Sequence, residues 1–331
     1  MKRLWIVLLT FVLLVGFIGC SSGGTSNIAP DDSDGNVDLS SPMNPTMPED
    51  KSSGISEGSS DEMPAAMPEN EKNLMPLEVH FLDVEQADCI LIKTPGQKAV
   101  LIDSGKNTHE DTVVSYIKSQ GIDTIDAVVG THPHEDHIGG LDAVINSFNI
   151  GKIYMPKVSH TTKTFEDVLN AIDNKGLKVT TAFAGTNIEV DPDLKIEILA
   201  PNSHTYDEIN NYSAVVKLTY KNTSFLFTGD AESVSEQEMI SKGYDLKADV
   251  LKVGHHGSAT STTAQFLKKV SPDYVVISVG KDNRYGHPDN LVLNRLKTFG
   301  VEIFRTDEYG TVIATSDGET IKFDKKGDEN I

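Results

Sequence analysis

Residues Thr124 to Leu141 read TIDAVVGTHPHEDHIGGL: an apolar strand runs directly into three histidines and an aspartate, then into a glycine-rich helix start. In an extended stretch alternate side chains face the same way, so His132, His134 and Asp136 are expected to converge on one side. His137, just past the turn, is expected to face a neighbouring point. Imidazoles and carboxylates without thiolates suit zinc, manganese or iron. A solvated histidine patch is the competing reading. Three of the chain's ten histidines within six positions weigh against it.

The flanking pattern predicts sheets faced by helices. Strand-like runs at 77–82, 88–93 and 98–102 are each bounded by Gly, Pro or Asp. Helices at 109–119, 139–147 and 163–175 then alternate with strands at 125–130, 152–155 and 178–182. Further strands are expected at 194–199, 213–220, 224–228, 249–253 and 273–279, with helices at 232–241, 261–269 and 289–298 and short strands to about 323. Paired strands mixed with strand–helix alternation predict an α/β class. Residues 74–331 suffice for one sizeable domain.

The segment before that domain reads differently. Met1-Lys2-Arg3, an apolar run from Leu4 to Ile18 and then Gly19-Cys20 describe a secretory signal over residues 1–20. Cys20 after Gly19 makes it similar to a bacterial lipoprotein signal, which implies lipidation at Cys20, a membrane anchor there and a location outside the cytoplasmic membrane; plain secretion is the alternative. Phe17 departs from the residues usual three places before such a cysteine. Residues 21–73 hold 11 Asp and Glu against two lysines and no Phe, Tyr or Trp. Such a stretch cannot bury enough apolar area to offset its ordering entropy, so a disordered acidic linker is expected. The net charge of −20 excludes a basic protein that coats nucleic acid. Two cysteines exclude a disulfide scaffold, and no apolar run reaches a full membrane span.

HPHEDH fits the HxHxDH signature, and the chain resembles the metallo-β-lactamase superfamily, which implies a four-layered αβ/βα sandwich. LIDSG places Asp103 where the family's aspartate orients a ligand histidine. FLFTGD places Asp230 as the carboxylate that bridges two metals, and KVGHHGS offers His256, with His255 second, as the late ligand. The resemblance implies two divalent transition-metal ions, zinc or manganese. One would be held by His132, His134 and Asp230, with Asn210 or water. The other would be held by Asp136, His137, Asp230 and His256, with Asp136 also the catalytic proton acceptor. Asn210 falls where a further histidine is usual, while His160 and His204 read as surface residues.

FLDVEQADCILI, NYSAVVKLTY, KVGHHGS and NRYGHP together look like the metallo-β-lactamase-like domain of the ComEC/Rec2 competence family, over roughly Leu77 to Ile321. Here the family's DVGQGD turn reads DVEQAD, with Glu85 and Ala87 in place of glycines. A position needing φ > 0 would be strained by either residue. His287 reads as a phosphate contact or a turn residue, Arg284 as an anion clamp or a solvated arginine, and Ser258 as a substrate donor or a helix cap. Cys89 reads as a small core residue. The implied activity is a metal-dependent hydrolase, a phosphodiesterase whose partner is extracellular nucleic acid or a nucleotide. A non-catalytic binding module with a weakened metal site is the alternative, and within the enzyme class β-lactam hydrolysis is a poor second. No protein partner is evident.

Overall fold

A computed structural model of the chain describes residues 75–325. The signal-like segment with Cys20 and the acidic stretch 21–73 lie outside the described residues. Leu77–Phe81 (β1), Ile90–Lys93 (β2) and Ala99–Ile102 (β3) are antiparallel neighbours. Helix Glu110–Ser119 (α1) leads to Thr124–Val129 (β4), which runs parallel to β3. After Glu135–Ile138 (α2) and Leu141–Ser147 (α3) come Asn149–Met155 (β5), Lys163–Asn174 (α4) and Val179–Thr181 (β6).

The second half begins with Leu194–Ala200 (β7), Val215–Tyr220 (β8), Thr223–Phe227 (β9), Ser233–Ser241 (α5) and Val250–Lys252 (β10). It continues with Ala264–Val270 (α6), Tyr274–Ile277 (β11), Asn290–Phe299 (α7) and Glu302–Arg305 (β12). Thr306–Tyr309 (α8), Val312–Ser316 (β13) and Ile321–Lys325 (β14) close the described chain. One sheet runs β14-β13-β1-β2-β3-β4-β5-β6 and the other β12-β11-β10-β9-β8-β7.

Three apolar interfaces follow from the two-residue period of these strands. Ile90 and Ile92 of β2, with Val100 and Ile102 of β3, meet Val216, Leu218 and Phe225 between the sheets. Leu91 and Leu101 point the other way, onto Val113, Val144 and Val168 of the first helices. Leu226, Leu251 and Val275 likewise pack on Phe266, Val292 and Leu296. Strands covered on both faces read as nearly continuous apolar runs, which AVLI and YVVI illustrate. The layering is therefore helix, sheet, sheet, helix, the αβ/βα sandwich expected.

Two expected elements differ. The helix predicted over 139–147 is broken: α2 starts a turn earlier, at Glu135, and α3 follows Gly139-Gly140. A Cβ at Gly139 would lie 2.3 Å from the Asn107 nitrogen, so the break lets α2 press against the backbone after β3. Ser213 and Ala214, expected in a strand, instead follow a short 3-10 turn, Ile209–Tyr212. Among the described residues, no helix is long and apolar enough to cross a membrane.

Candidate metal centre

The parallel strands β3, β4, β9, β10 and β11 end on one rim, and side chains just past their carboxyl ends meet there, where open α/β sheets usually place ligands. Asp103 follows β3, His132 follows β4, Asp230 follows β9, and His255 and His256 follow β10. His134 is the last extended residue before α2, so Asp136 and His137 leave the rim from a helical turn. The extended spacing expected to align His132, His134 and Asp136 therefore stops at His134, and the turn carries Asp136 toward His256.

Four groups of donors lie within ligand distance of one another: His132, His137 and Asp230; Asp136, His137 and His256; Asp88, Asp230 and His256; and Asp88, Asp103 and His137. His137 Nε2 faces Asp230 Oδ1 at 3.2 Å, and His256 Nε2 faces Asp136 Oδ2 at 3.4 Å and Asp230 Oδ1 at 3.8 Å. His137 Nε2, His256 Nε2 and Asp230 Oδ1 are buried and make no hydrogen bond. Buried polar atoms without partners are expensive. Three of them aimed at one point, with imidazole and carboxylate chemistry, fit divalent transition metals. His137 belongs to three of these groups, but with Nδ1 held by Asp103 only its Nε2 lone pair is open, so between His137 and Asp230 it is Asp230, with two carboxylate oxygens, that is able to border two ions. His134 packs edge-on against His132, its Nδ1 3.0 Å from His132 Nε2.

Partners behind the histidines set their tautomers. Asp103 Oδ2 lies 2.7 Å from His137 Nδ1, while Asp103 also accepts from the Thr131 backbone N–H and hydroxyl, each at 2.7 Å. A proton on Nδ1 leaves His137 Nε2 as the free donor. His256 Nδ1 lies 2.9 Å from the Ser278 carbonyl oxygen, which leaves its Nε2 free in the same way.

Backbone strain aims the late pair. His255 and His256 both adopt left-handed conformations, φ 49° and 52°, a region that non-glycine residues enter at a cost met at functional sites. His255 N–H donates to the Gly229 carbonyl. Gly229 is itself left-handed at φ 51°, and a Cβ there would press within 3.0 Å of Thr131. His256 is buried and borders Asp136, Asp230 and Asp88. His255 is a quarter exposed and lies 3.6 Å from Asp230.

The carboxylates dominate the field. Burial alone would raise the Asp230 and Asp136 carboxyls, but His137 and His256 hold both well below the usual range. Burial would likewise lower His256, but Asp230 and Asp88 outweigh it and push it up to about 10, so without a cation Nε2 also carries a proton, which a bound metal ion would displace. His132 has no such excess of acid around it, and burial drives it well below the ordinary histidine value.

Some assignments change. Asn210 Nδ2 donates to Glu232 at 3.1 Å and lies 3.5 Å from His255 Nδ1, so it neighbours the late pair. Ser258 Oγ pairs with the Thr260 hydroxyl, and the helix cap expected of it belongs to Thr263, which accepts from Phe266 N–H. His160, expected on the open surface, packs edge-on to His134 at 5.8 Å and lines the site cavity. His204 stacks on Phe183 instead. Cys89 is buried, and desolvation holds its thiol neutral. Glu85 is left-handed at φ 55°, whereas Ala87 is not, so only the first glycine-to-side-chain change is strained.

The cavity over these groups has about 350 Å³ and is bordered by His287, Tyr285 and Gln86. A larger one, about 590 Å³, lies at the opposite ends of β3 and β4. Four of its charged wall residues are already paired, Lys93 with Glu78 and Lys98 with Asp126.

Sequence reasoning missed Asp88 and Lys252. Asp88 is buried, 3.3 Å from His256 Nδ1, and pairs with the fully buried Lys252 at 3.0 Å. Both stand inside motifs quoted above, DVEQAD and KVGHHGS; the signal was a lysine in an apolar strand beside the histidines.

Comparison with known proteins agrees with this architecture. The sequence pattern of the metallo-beta-lactamase superfamily matches residues 82–281. ComE operon protein 3 of Bacillus subtilis is 32% identical over 252 residues, 71% of this chain and 32% of that protein. Competence protein ComA of Neisseria gonorrhoeae is 30% identical, over 75% of this chain and 33% of its own. Recombination protein 2 of Haemophilus influenzae is 29% identical, over 71% and 28% respectively. The chain thus spans about a third of the length of the curated relatives it matches.

Proposed function

The chain belongs to the metallo-beta-lactamase superfamily, and on that premise we propose a metal-dependent phosphodiesterase acting on nucleic acid or nucleotides outside the cytoplasmic membrane, tethered through a lipid on Cys20. The observation that carries the catalytic part is the overlapping set of buried donor groups around Asp230, His137 and His256, whose unpartnered atoms face one another. Relatives named for competence and recombination support a nucleic-acid substrate.

His132, His134, His137, His256, Asp136 and Asp230 would hold two divalent ions. When bound, such a pair lowers the pKa of water and neutralises charge on phosphate oxygens. Asp103 fixes the proton on His137 Nδ1, and the Ser278 carbonyl fixes that on His256. Asp136 is the carboxylate at the cavity floor with partial access to solvent, 28% exposed, and it is held ionised. It is therefore placed to accept a proton from attacking water. His287 stands at the cavity mouth, where burial holds its ring neutral and able to accept a hydrogen bond.

The competing reading, a binding module, draws on Asn210, a neutral amide tied to Glu232. Purified, metal-replete protein assayed against a simple phosphodiester, single-stranded and duplex DNA and a β-lactam separates these. Phosphodiester turnover supports the proposal; turnover of the β-lactam alone refutes it. Metal binding with no turnover at all favours the module.

A further inference from the structure

Among the exposed large apolar side chains of the described residues, Tyr285 is the one that lines the metal cavity, and the residue is 55% exposed. The loop bearing it is pinned. Asn283 Oδ1 accepts from Tyr285 N–H at 3.2 Å and from His287 N–H at 3.1 Å, while its Nδ2 donates to the Gly280 and His287 carbonyls. Gln86 Oε1 accepts from Gly280 N–H, tying the loop to the turn after β1. The ring also stacks near-parallel with His287, 24° and 5.8 Å between centroids, and Arg284 lies over it with Cζ 4.9 Å from the centroid. An aromatic face held this firmly loses little entropy when a planar partner settles on it.

Tyr285 has a second role in the layout. It is a wall shared by the metal cavity and an adjoining cleft of about 490 Å³. That cleft sets Lys106, Lys281 and Arg284 against Glu85, Glu135, Asp136 and Asp282. Three cations face four carboxylates, so no strong positive field draws in a polyanion there. Whatever is recognised must be recognised chiefly by its flat face, with the three cations available to a single phosphate.

We infer that Tyr285 and Arg284 form a base-stacking subsite that seats one unpaired nucleobase beside the metal centre, the flanking phosphate reaching toward Lys106 and Lys281. This rests on the phosphodiesterase reading and narrows it to single-stranded ends, because a base inside a duplex cannot present its face to the ring.

The test is equilibrium binding of a fluorescent single-stranded oligonucleotide and of an abasic sugar–phosphate oligomer of equal length to the full chain, chelated so that nothing is cleaved. The base-bearing oligomer should bind about tenfold more tightly or better, the effect of one stacked base. Tyr285→Ala should abolish that difference and Tyr285→Phe should keep it. Equal affinity of the wild type for the two oligomers, no binding of either, or an undiminished difference in Tyr285→Ala overturns the subsite. So does a loss in Tyr285→Phe as large as that in Tyr285→Ala. Turnover, measured separately, keeps the two readings apart. Phosphodiester cleavage without base-dependent binding removes the subsite alone, and base-dependent binding without cleavage removes the hydrolase alone.

Discussion

Lys252 Nζ lies 3.0 Å from Asp88 Oδ2, and both side chains are buried directly behind His256. Nζ also donates to the Val253 carbonyl at 2.9 Å. Removing one partner of such a pair strands the other charge out of water, which costs more than the pair contributes. Lys252→Met should therefore destabilise the domain by about 3–5 kcal/mol, read as a lowered urea midpoint. Lys252→Met with Asp88→Leu should recover most of that loss. A single variant as stable as the wild type would show that the pair is not a buried ion pair in solution.

The same pair sets an acid limit. Burial would raise the Asp88 carboxyl, but Lys252 and His256 pull it down to about 2. The folded value is depressed, so the stabilisation is complete above the ordinary aspartate value of about 4 and is lost as pH falls through about 2. It amounts to about 2 kcal/mol. In Asp88→Asn, the fall of stability with acid across that window should flatten; an unchanged slope would assign the acid sensitivity elsewhere.

Asp103 holds His137 in one tautomer through a 2.7 Å contact. Partners of this kind typically govern metal affinity by about 10- to 100-fold. Asp103→Asn should weaken metal binding by that order while the fold persists, measured by competition with a chromophoric chelator. Asp230→Ala should instead reduce the bound stoichiometry at both positions, because Asp230 borders His132, His137 and His256. Two ions retained in Asp230→Ala would remove it as a shared ligand.

Glu85 sits left-handed at φ 55° with its side chain largely exposed. Relief of that conformation outweighs the extra chain entropy of glycine only modestly. Glu85→Gly should raise stability by up to about 1 kcal/mol, seen in the denaturation midpoint, whereas a loss of stability would mean that its side chain holds the turn.

Much of the centre was legible because its chemistry is written in short runs. HPHEDH, LIDSG, FLFTGD and KVGHHGS each end a strand, and strands of one sandwich end on a common rim. What was not legible depends on distance through the fold. Asp88 and Lys252 meet across two sheets, and nothing in either local run marks the other as its partner. The extended reading of His132 to Asp136 failed for a local reason. Gly139 permits a close approach to Lys106 and Asn107, and Gly140 one to Ser104, where the early helix ends, and periodicity alone does not reveal a packing contact. His160 joins the site only through the long connection after β5, whose course the sequence does not indicate.

The central claim is that donors converging on His137 and Asp230 perform metal-dependent phosphodiester hydrolysis with Asp136 accepting the proton. It is tested most directly by titrating chelated, purified protein with manganese or zinc while following hydrolysis of a phosphodiester, with Asp136→Ala in parallel. The account predicts activity that rises with metal and saturates in the wild type, and falls by at least about a hundredfold in Asp136→Ala at full metal loading. Activity independent of metal, or an Asp136→Ala variant that hydrolyses as fast as the wild type, would contradict it.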